Sequence, residues 1–203
     1  VMNRIVNQYY GTRIFHNRSF FESAVIAILE QQISVKAATK IRERFVNHFG
    51  RGPIQYDGMV FRAFPTAHDL FELSIDDIRL VGISMNKAKA IHNLAQCLVE
   101  GSFQVQSLFP QSKQLSIKKI MTLKGIGLLS AQYILTMGLA WNDIVAHGDL
   151  GLRKAISHYY KKGQPVSDDE SQDFFKRFIP WRHMVGYYLL MDHIENGKTD
   201  RYP

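Results

Sequence analysis

A carboxylate set immediately before a helix can serve in two ways, and Asp149 is such a carboxylate. It follows Gly148 in the stretch Asp143-Ile144-Val145-Ala146-His147-Gly148-Asp149-Leu150-Gly151-Leu152-Arg153 and precedes an amphipathic run. Asp is a favoured N-cap, accepting a bond from the first-turn amides, and capping alone accounts for the residue. Beside a cleft, the same carboxylate is held ionised by the positive end of the helix. Breaking an N-glycosidic bond develops a cation on the sugar, and a fixed anion in a dry pocket stabilises that cation. Residue type and position leave both roles open.

The second chemically informative stretch is Ile120-Met121-Thr122-Leu123-Lys124-Gly125-Ile126-Gly127-Leu128-Leu129-Ser130-Ala131. A helix ends near Thr122, the two glycines make a turn that no Cβ could follow, and a second helix begins at once. Ile126 can plug the space between the helices, and Ala131 lets them approach. The amides from Gly127 onward lack intrahelical partners and form an anion site reinforced by the helix dipole. A DNA phosphate fits such a site, which positions a protein on DNA without reading sequence. Taken alone, the Gly-x-Gly also suits a plain helix connector. A weaker copy stands upstream, where Leu80-Val81-Gly82-Ile83-Ser84 and Ala88 match Leu123-Lys124-Gly125-Ile126-Gly127 and Ala131 in spacing. It reads either as a second helix-turn-helix or as a chance echo.

The elements that must position these residues read as helices. Apolar side chains return every three or four residues over 20–29, 35–45, 86–99, 130–137, 150–160 and 182–194. Gly101, Gly138 and Gly163 punctuate them, and Ser167-Asp168-Asp169-Glu170 opens another helix as a cap with an acidic first turn. Good strand candidates are scarce, and 54–60, flanked by Gly and Pro, reads as loop. An all-α fold is expected.

The 203 residues suffice for one well-buried core or two interleaved lobes. No apolar run is long enough to span a bilayer and the start of the chain lacks a signal-peptide pattern. Cys97 is the sole cysteine, which excludes an internal disulfide framework and a cysteine cage for zinc or iron–sulfur. An intracellular setting is expected. The formal net charge of +7 favours an anionic partner, of which nucleic acid is the commonest.

With these residues in place, the chain resembles the helix-hairpin-helix, Gly/Pro…Asp superfamily of DNA base-excision glycosylases. Within it the chain is most similar to the 3-methyladenine DNA glycosylase II branch, which removes alkylated bases. The resemblance rests on Leu29-Glu30-Gln31-Gln32-Ile33-Ser34-Val35-Lys36-Ala37-Ala38, Gly82-Ile83-Ser84 with Lys87-Ala88, the hairpin, Asp149 to Arg153, and Pro180-Trp181-Arg182. It implies two interleaved helical lobes, about 1–25 plus 132–203 and about 26–131, with the hairpin at 118–131 and the active-site cleft between them. The extra N-terminal β-domain of some members is not expected.

The resemblance also implies roles. Asp149 becomes the catalytic carboxylate. Lys124, Gly125, Gly127, Leu129 and Ser130 hold a phosphate. The backbone carbonyls of Met121, Leu123 and Ile126 ligate Na+ or K+ when DNA is bound, and no other cofactor is required. Gln31 and Gln32 enter the duplex to fill the gap left by a flipped base, or are solvated polar residues at a helix junction. Tyr133, Phe178 and Leu129 line the base pocket, where an aromatic face suits a cationic alkylated purine; either aromatic could equally be core. Trp181 is read as structural. The implied partner is double-stranded DNA with a damaged base or abasic site, bound by a monomer, in the nucleus or the bacterial cytoplasm.

Departures from the pattern limit this reading. Leu129 stands where glycosylases that also cut the backbone carry a Schiff-base lysine, so lyase chemistry through that residue is not expected. Leu129-Ser130 also replaces the Trp-Thr of many alkylation enzymes, Lys124 replaces a common Pro, and His147-Gly148 replaces a Pro and an acidic residue. His147 reads as a surface histidine or as a substrate contact. Two functions follow: excision of 3-methyladenine-like bases, or binding of abasic or distorted DNA with weak or no excision.

Overall fold

The computed structural model describes residues 1–196. In chain order it contains α1 (Met2–Gln8), α2 (Phe20–Leu29), α3 (Val35–Phe49), β1 (Arg51–Tyr56), β2 (Met59–Ala63), α4 (Ala67–Phe71), α5 (Ile75–Arg79) and α6 (Met85–Val99). A short 3-10 turn (Val105–Leu108) leads to α7 (Lys113–Ile120) and α8 (Leu128–Tyr133), which runs on as a π-helical turn over Ile134–Gly138. Then come α9 (Leu150–Tyr160), α10 (Asp168–Lys176) and α11 (Arg182–Glu195). No helix among the described residues is long and apolar enough to cross a membrane.

Most helices start where local chemistry says they should. Ser19, Ser34, Thr66, Ser74, Ser84, Ser112, Asp149 and Ser167 each accept a first-turn amide with the side chain. Thr66, Ser74 and Ser167 complete capping boxes with Asp69, Asp77 and Glu170. Helix α8 differs: it opens on Gly127 with no capping side chain.

The loop expected at 54–60 is corrected, since it lies within a strand pair over 51–63. The pair forms an antiparallel hairpin in which Tyr56 pairs with Met59 across Asp57-Gly58. Both turn residues have positive φ, 50° and 73°, as the tight turn that matches strand twist requires. Every residue of the two strands is exposed, so the hydrophobic alternation that marks a half-buried strand is missing. The fold is otherwise helical, as expected.

Buried side chains gather in two cores. The larger takes α2 to α8 and ends at Ile144; α2 runs through it against α3, α6, α8 and the π turn. The smaller takes Ile5 from one end of the chain and 145–189 from the other, with Val145, Leu152, Ile156, Phe175 and Leu189 at its centre. Adjacent residues Ile144 and Val145 therefore point into different cores. Buried residues at 20–25 and 134–144, placed by the sequence with the terminal lobe, pack into the larger core; 197–203, placed in the same lobe, lie outside the described residues.

Candidate active site and nucleic-acid interface

The hairpin α7–turn–α8 forms as expected, but its two glycines do different work. Gly125 has φ +81°, and a Cβ there would stand 2.7 Å from the Ala90 Cβ on α6. Gly127 has φ −93° and ψ −177°, extended backbone open to any residue. A Cβ on Gly127 would meet nothing within 4 Å. Protein packing thus demands the first glycine and leaves empty space over the second. Leu123, Ile126 and Ala131 are buried beneath the turn, while Lys124, Leu128 and Leu129 are exposed.

The upstream echo is a real second copy. Gly82 has φ +83°, close to Gly125 at +81°. Ser84 and Gly127 each start the following helix, and Ala88 and Ala131 are both fully buried. The copies diverge at the cap: the Ser84 hydroxyl takes the Lys87 amide, whereas α8 opens on Gly127 with no side-chain cap bond.

Asp149 lies on the loop that crosses from one core to the other. It caps α9, its Oδ1 accepting from the Leu152 amide at 2.9 Å. It lines a cleft of about 1000 Å³ together with Gly127, Leu128, Leu129 and Ser130 from the hairpin, Tyr133 below them, and Gln31 and Gln32 from the turn after α2. Helix α11 adds a wall through His183, Gly186, Tyr187 and Leu190. Gly186 permits the close approach of that wall, since a Cβ there would stand 3.0 Å from Val145 Cγ2. Burial raises the pKa of the Tyr133 hydroxyl. Burial also lowers that of His183 to about 4, so its imidazole is neutral near pH 7.

The structure sorts the expected site residues. Asp149, Leu129, Tyr133, Gln31 and Gln32 converge on one cleft, together with Gly127 and Ser130. Phe178 does not: its ring packs on Phe174 at 5.4 Å, beneath the Arg177 guanidinium, in the smaller core. Trp181 is 56% exposed rather than packed. His147 is half-buried, is absent from the cleft wall and has an unpartnered Nδ1. Gln31 turns inward, its Nε2 donating to the Gly125 carbonyl (2.8 Å) and to Ser130 Oγ (3.1 Å). Gln32 is exposed with φ +55°. Of the turn carbonyls, Leu123 O accepts the Ile126 amide at 3.2 Å.

Sequence reasoning missed what holds the walls together. Asp143 accepts from Arg182 Nε at 2.8 Å and from Lys113 Nζ, tying the Asp149 loop to the start of α7 and the start of α11. Desolvation pushes the Asp143 pKa up, but bonds from Arg182 and Lys113 outweigh it and hold the carboxyl below its ordinary value. The partners lie 30 and 39 residues away, beyond any local signal. The α11 residues of the cleft, His183, Gly186, Tyr187 and Leu190, were equally silent, because the sequence showed a helix there but not which face meets the cleft.

A family model described as HhH-GPD superfamily base excision DNA repair protein matches residues 25–180. The putative DNA-3-methyladenine glycosylase YfjP of Bacillus subtilis is 26% identical over 188 residues, 93% of this chain and 64% of that protein. The DNA-3-methyladenine glycosylase of Saccharomyces cerevisiae is 32% identical over 148 residues, 69% of this chain and 46% of that one. The chain thus spans less than two thirds of the length of either relative. Among solved structures, a 3-methyladenine DNA-glycosylase from Archaeoglobus fulgidus superposes with TM-score 0.81 at 26% identity, covering 95% of this chain and 66% of that one. The Schizosaccharomyces pombe 3-methyladenine DNA glycosylase Mag1, in complex with abasic DNA, shares the fold at TM-score 0.77 and 21% identity, with 99% and 93% covered.

Proposed function

The chain belongs to the HhH-GPD superfamily of base excision DNA repair proteins, and from that premise we propose that it is a monofunctional DNA glycosylase excising alkylated, 3-methyladenine-like bases from duplex DNA. The observation that supports this most strongly is the sharing of one cleft by Asp149 and the uncapped first turn of α8. A phosphate seated on the amides at Gly127 to Ser130, with open space over Gly127, sets the backbone so that a flipped nucleotide enters the cleft. The names of the relatives point to the same substrate class.

In the reaction, the C1′–N bond breaks and its electron pair leaves with the base. A base already carrying a positive charge through alkylation departs neutral, so little acid assistance is needed. The cationic sugar left behind faces Asp149, whose negative charge stabilises it. Water then adds to C1′ and yields its proton to Asp149 or bulk solvent. Leu129, 44% exposed on the cleft wall, has no amine to form a Schiff base, so the backbone stays uncut. Tyr133 and Tyr187 offer aromatic faces to a cationic purine.

The carbonyls of Met121, Leu123 and Ile126 would hold a monovalent cation when DNA is bound, Leu123 O through the lone pair that the Ile126 amide leaves it. Such an ion neutralises phosphate charge, and no chemical step passes through it.

The test is incubation with duplex DNA carrying 3-methyladenine, 7-methylguanine or hypoxanthine. Release of at least one base is expected. Tight binding to an abasic site with no release of any base would favour the binding protein instead, the reading that Leu129-Ser130 on the cleft wall supports.

A further inference from the structure

Gln32 occupies a backbone conformation that needs an outside constraint. Its φ of +55° lies in the left-handed region, which a side-chain-bearing residue rarely holds unless its surroundings impose it. The peptide unit that sets this angle is the one between Gln31 and Gln32. Its carbonyl, Gln31 O, accepts from Lys87 Nζ at 2.8 Å, and the same ammonium donates to Leu29 O at 2.8 Å. Lys87 belongs to α6 and reaches across from another element, 56 and 58 residues away in sequence. Its bonding partners are the carbonyls of the last α2 residue and of the turn just beyond it, where free carbonyls attract a cation.

We propose that Lys87 is a positioning residue for base flipping, clamping the Gln31–Gln32 peptide so that the Gln32 side chain stands ready to enter the duplex. The inference rests on the glycosylase reading and on Gln32 as the element that fills the gap. A second tie completes the unit, because the Gln31 side chain is bonded to the hairpin at Gly125 and Ser130. The inserting turn, α6 and the phosphate grip therefore move together. Gln31 and Gln32 are not equivalent: the first is a strut and the second is the inserting side chain. Burial lowers the pKa of the Lys87 ammonium, consistent with a cation spent on carbonyls rather than on a carboxylate.

The experiment compares single-turnover excision of one lesion in two settings, paired within a duplex and unpaired in a one-nucleotide bulge. An unpaired base has no partner to leave behind and needs little help to leave the stack. Lys87→Met is expected to slow excision at least tenfold on the paired lesion and less than threefold on the bulge. Lys87→Arg, which keeps a cation with several donors, restores most of the rate. Lys87→Gln, which cannot span both carbonyls, shows the same contrast and serves if the Met variant unfolds. Equal losses on both substrates, or no loss, would overturn the proposal. If wild type excises from neither substrate, the glycosylase reading itself fails. In that event 2-aminopurine beside the lesion still reports flipping on binding, and an unchanged signal in Lys87→Met rejects the clamp.

Discussion

Asp149 holds two offices at once, and a single substitution separates them. Asparagine also caps helices well, so Asp149→Asn should keep the Leu152 amide satisfied and leave the melting temperature within about 2 °C. The charge facing the sugar is lost, and loss of one preorganised electrostatic stabiliser typically costs about 10²–10³-fold in rate. Single-turnover excision of 3-methyladenine is expected to fall by that amount while affinity for abasic DNA changes less than about threefold. A variant that excises normally would reduce Asp149 to a cap. Its candidacy was legible because a lone acid after a glycine and before a helix is a local pattern. Phe178 shows the limit of such reading: sequence shows an aromatic near a helix end but not which way it turns, and packing on Phe174 turned it away from the cleft.

At the scale of elements, the hairpin offers a contrast between two glycines of identical type. Gly125→Ala forces a Cβ onto Ala90 at 2.7 Å in left-handed backbone, and about 1–3 kcal/mol of stability should be lost. Gly127→Ala meets no neighbour and should fold with stability within about 0.5 kcal/mol of wild type. Its affinity for DNA should nonetheless drop severalfold, because the new methyl group stands where a phosphate approaches. Chemical denaturation and fluorescence anisotropy measure the two quantities; equal affinity in Gly127→Ala would remove the phosphate from that seat. The sequence marked both glycines but could not assign them, since the Ala90 contact is long-range. It also held the signal for the β hairpin, Asp57-Gly58, but the flanking Gly and Pro argued for a loop, and strands that turn out to be wholly exposed offer no buried face to argue back. Asp143 binds elements together in a pH-dependent way. Its folded pKa is depressed, so the stabilisation is complete above the unfolded value of about 3.9 and is lost as pH falls through the folded one. Asp143→Asn should cost about 1–3 kcal/mol at pH 7, the usual buried-pair loss discounted because Lys113 and Arg182 are partly exposed. The difference from wild type should begin to close as pH falls below about 4 and vanish once the folded-state carboxyl is protonated; a gap that persists in strong acid would assign the loss to packing.

For the molecule as a whole, the partition into two cores was the least legible feature. Ile144 and Val145 are both apolar and adjacent, and nothing in their types says that one joins α2 while the other joins α9 and α11. Yet that division is what carries Asp149 across the junction and leaves a cleft there. The net charge of +7 acts at the same scale, and its effect separates from that of the backbone grip. Each phosphate neutralised by a side-chain cation releases counterions, giving a slope of about −0.9 per contact in log K against log salt. With about five such contacts, raising salt from about 50 to 200 mM should weaken binding by about 10²–10³-fold. Lys124 stands exposed on the turn, so Lys124→Ala should lower affinity and make the slope shallower by about 1. Gly127→Ala changes no charge, so it should lower affinity with the slope nearly unchanged. Titrations of labelled duplex DNA at four salt concentrations distinguish these outcomes. A wild-type slope near zero would show that DNA is not held through its phosphates, and the cleft would then need another ligand.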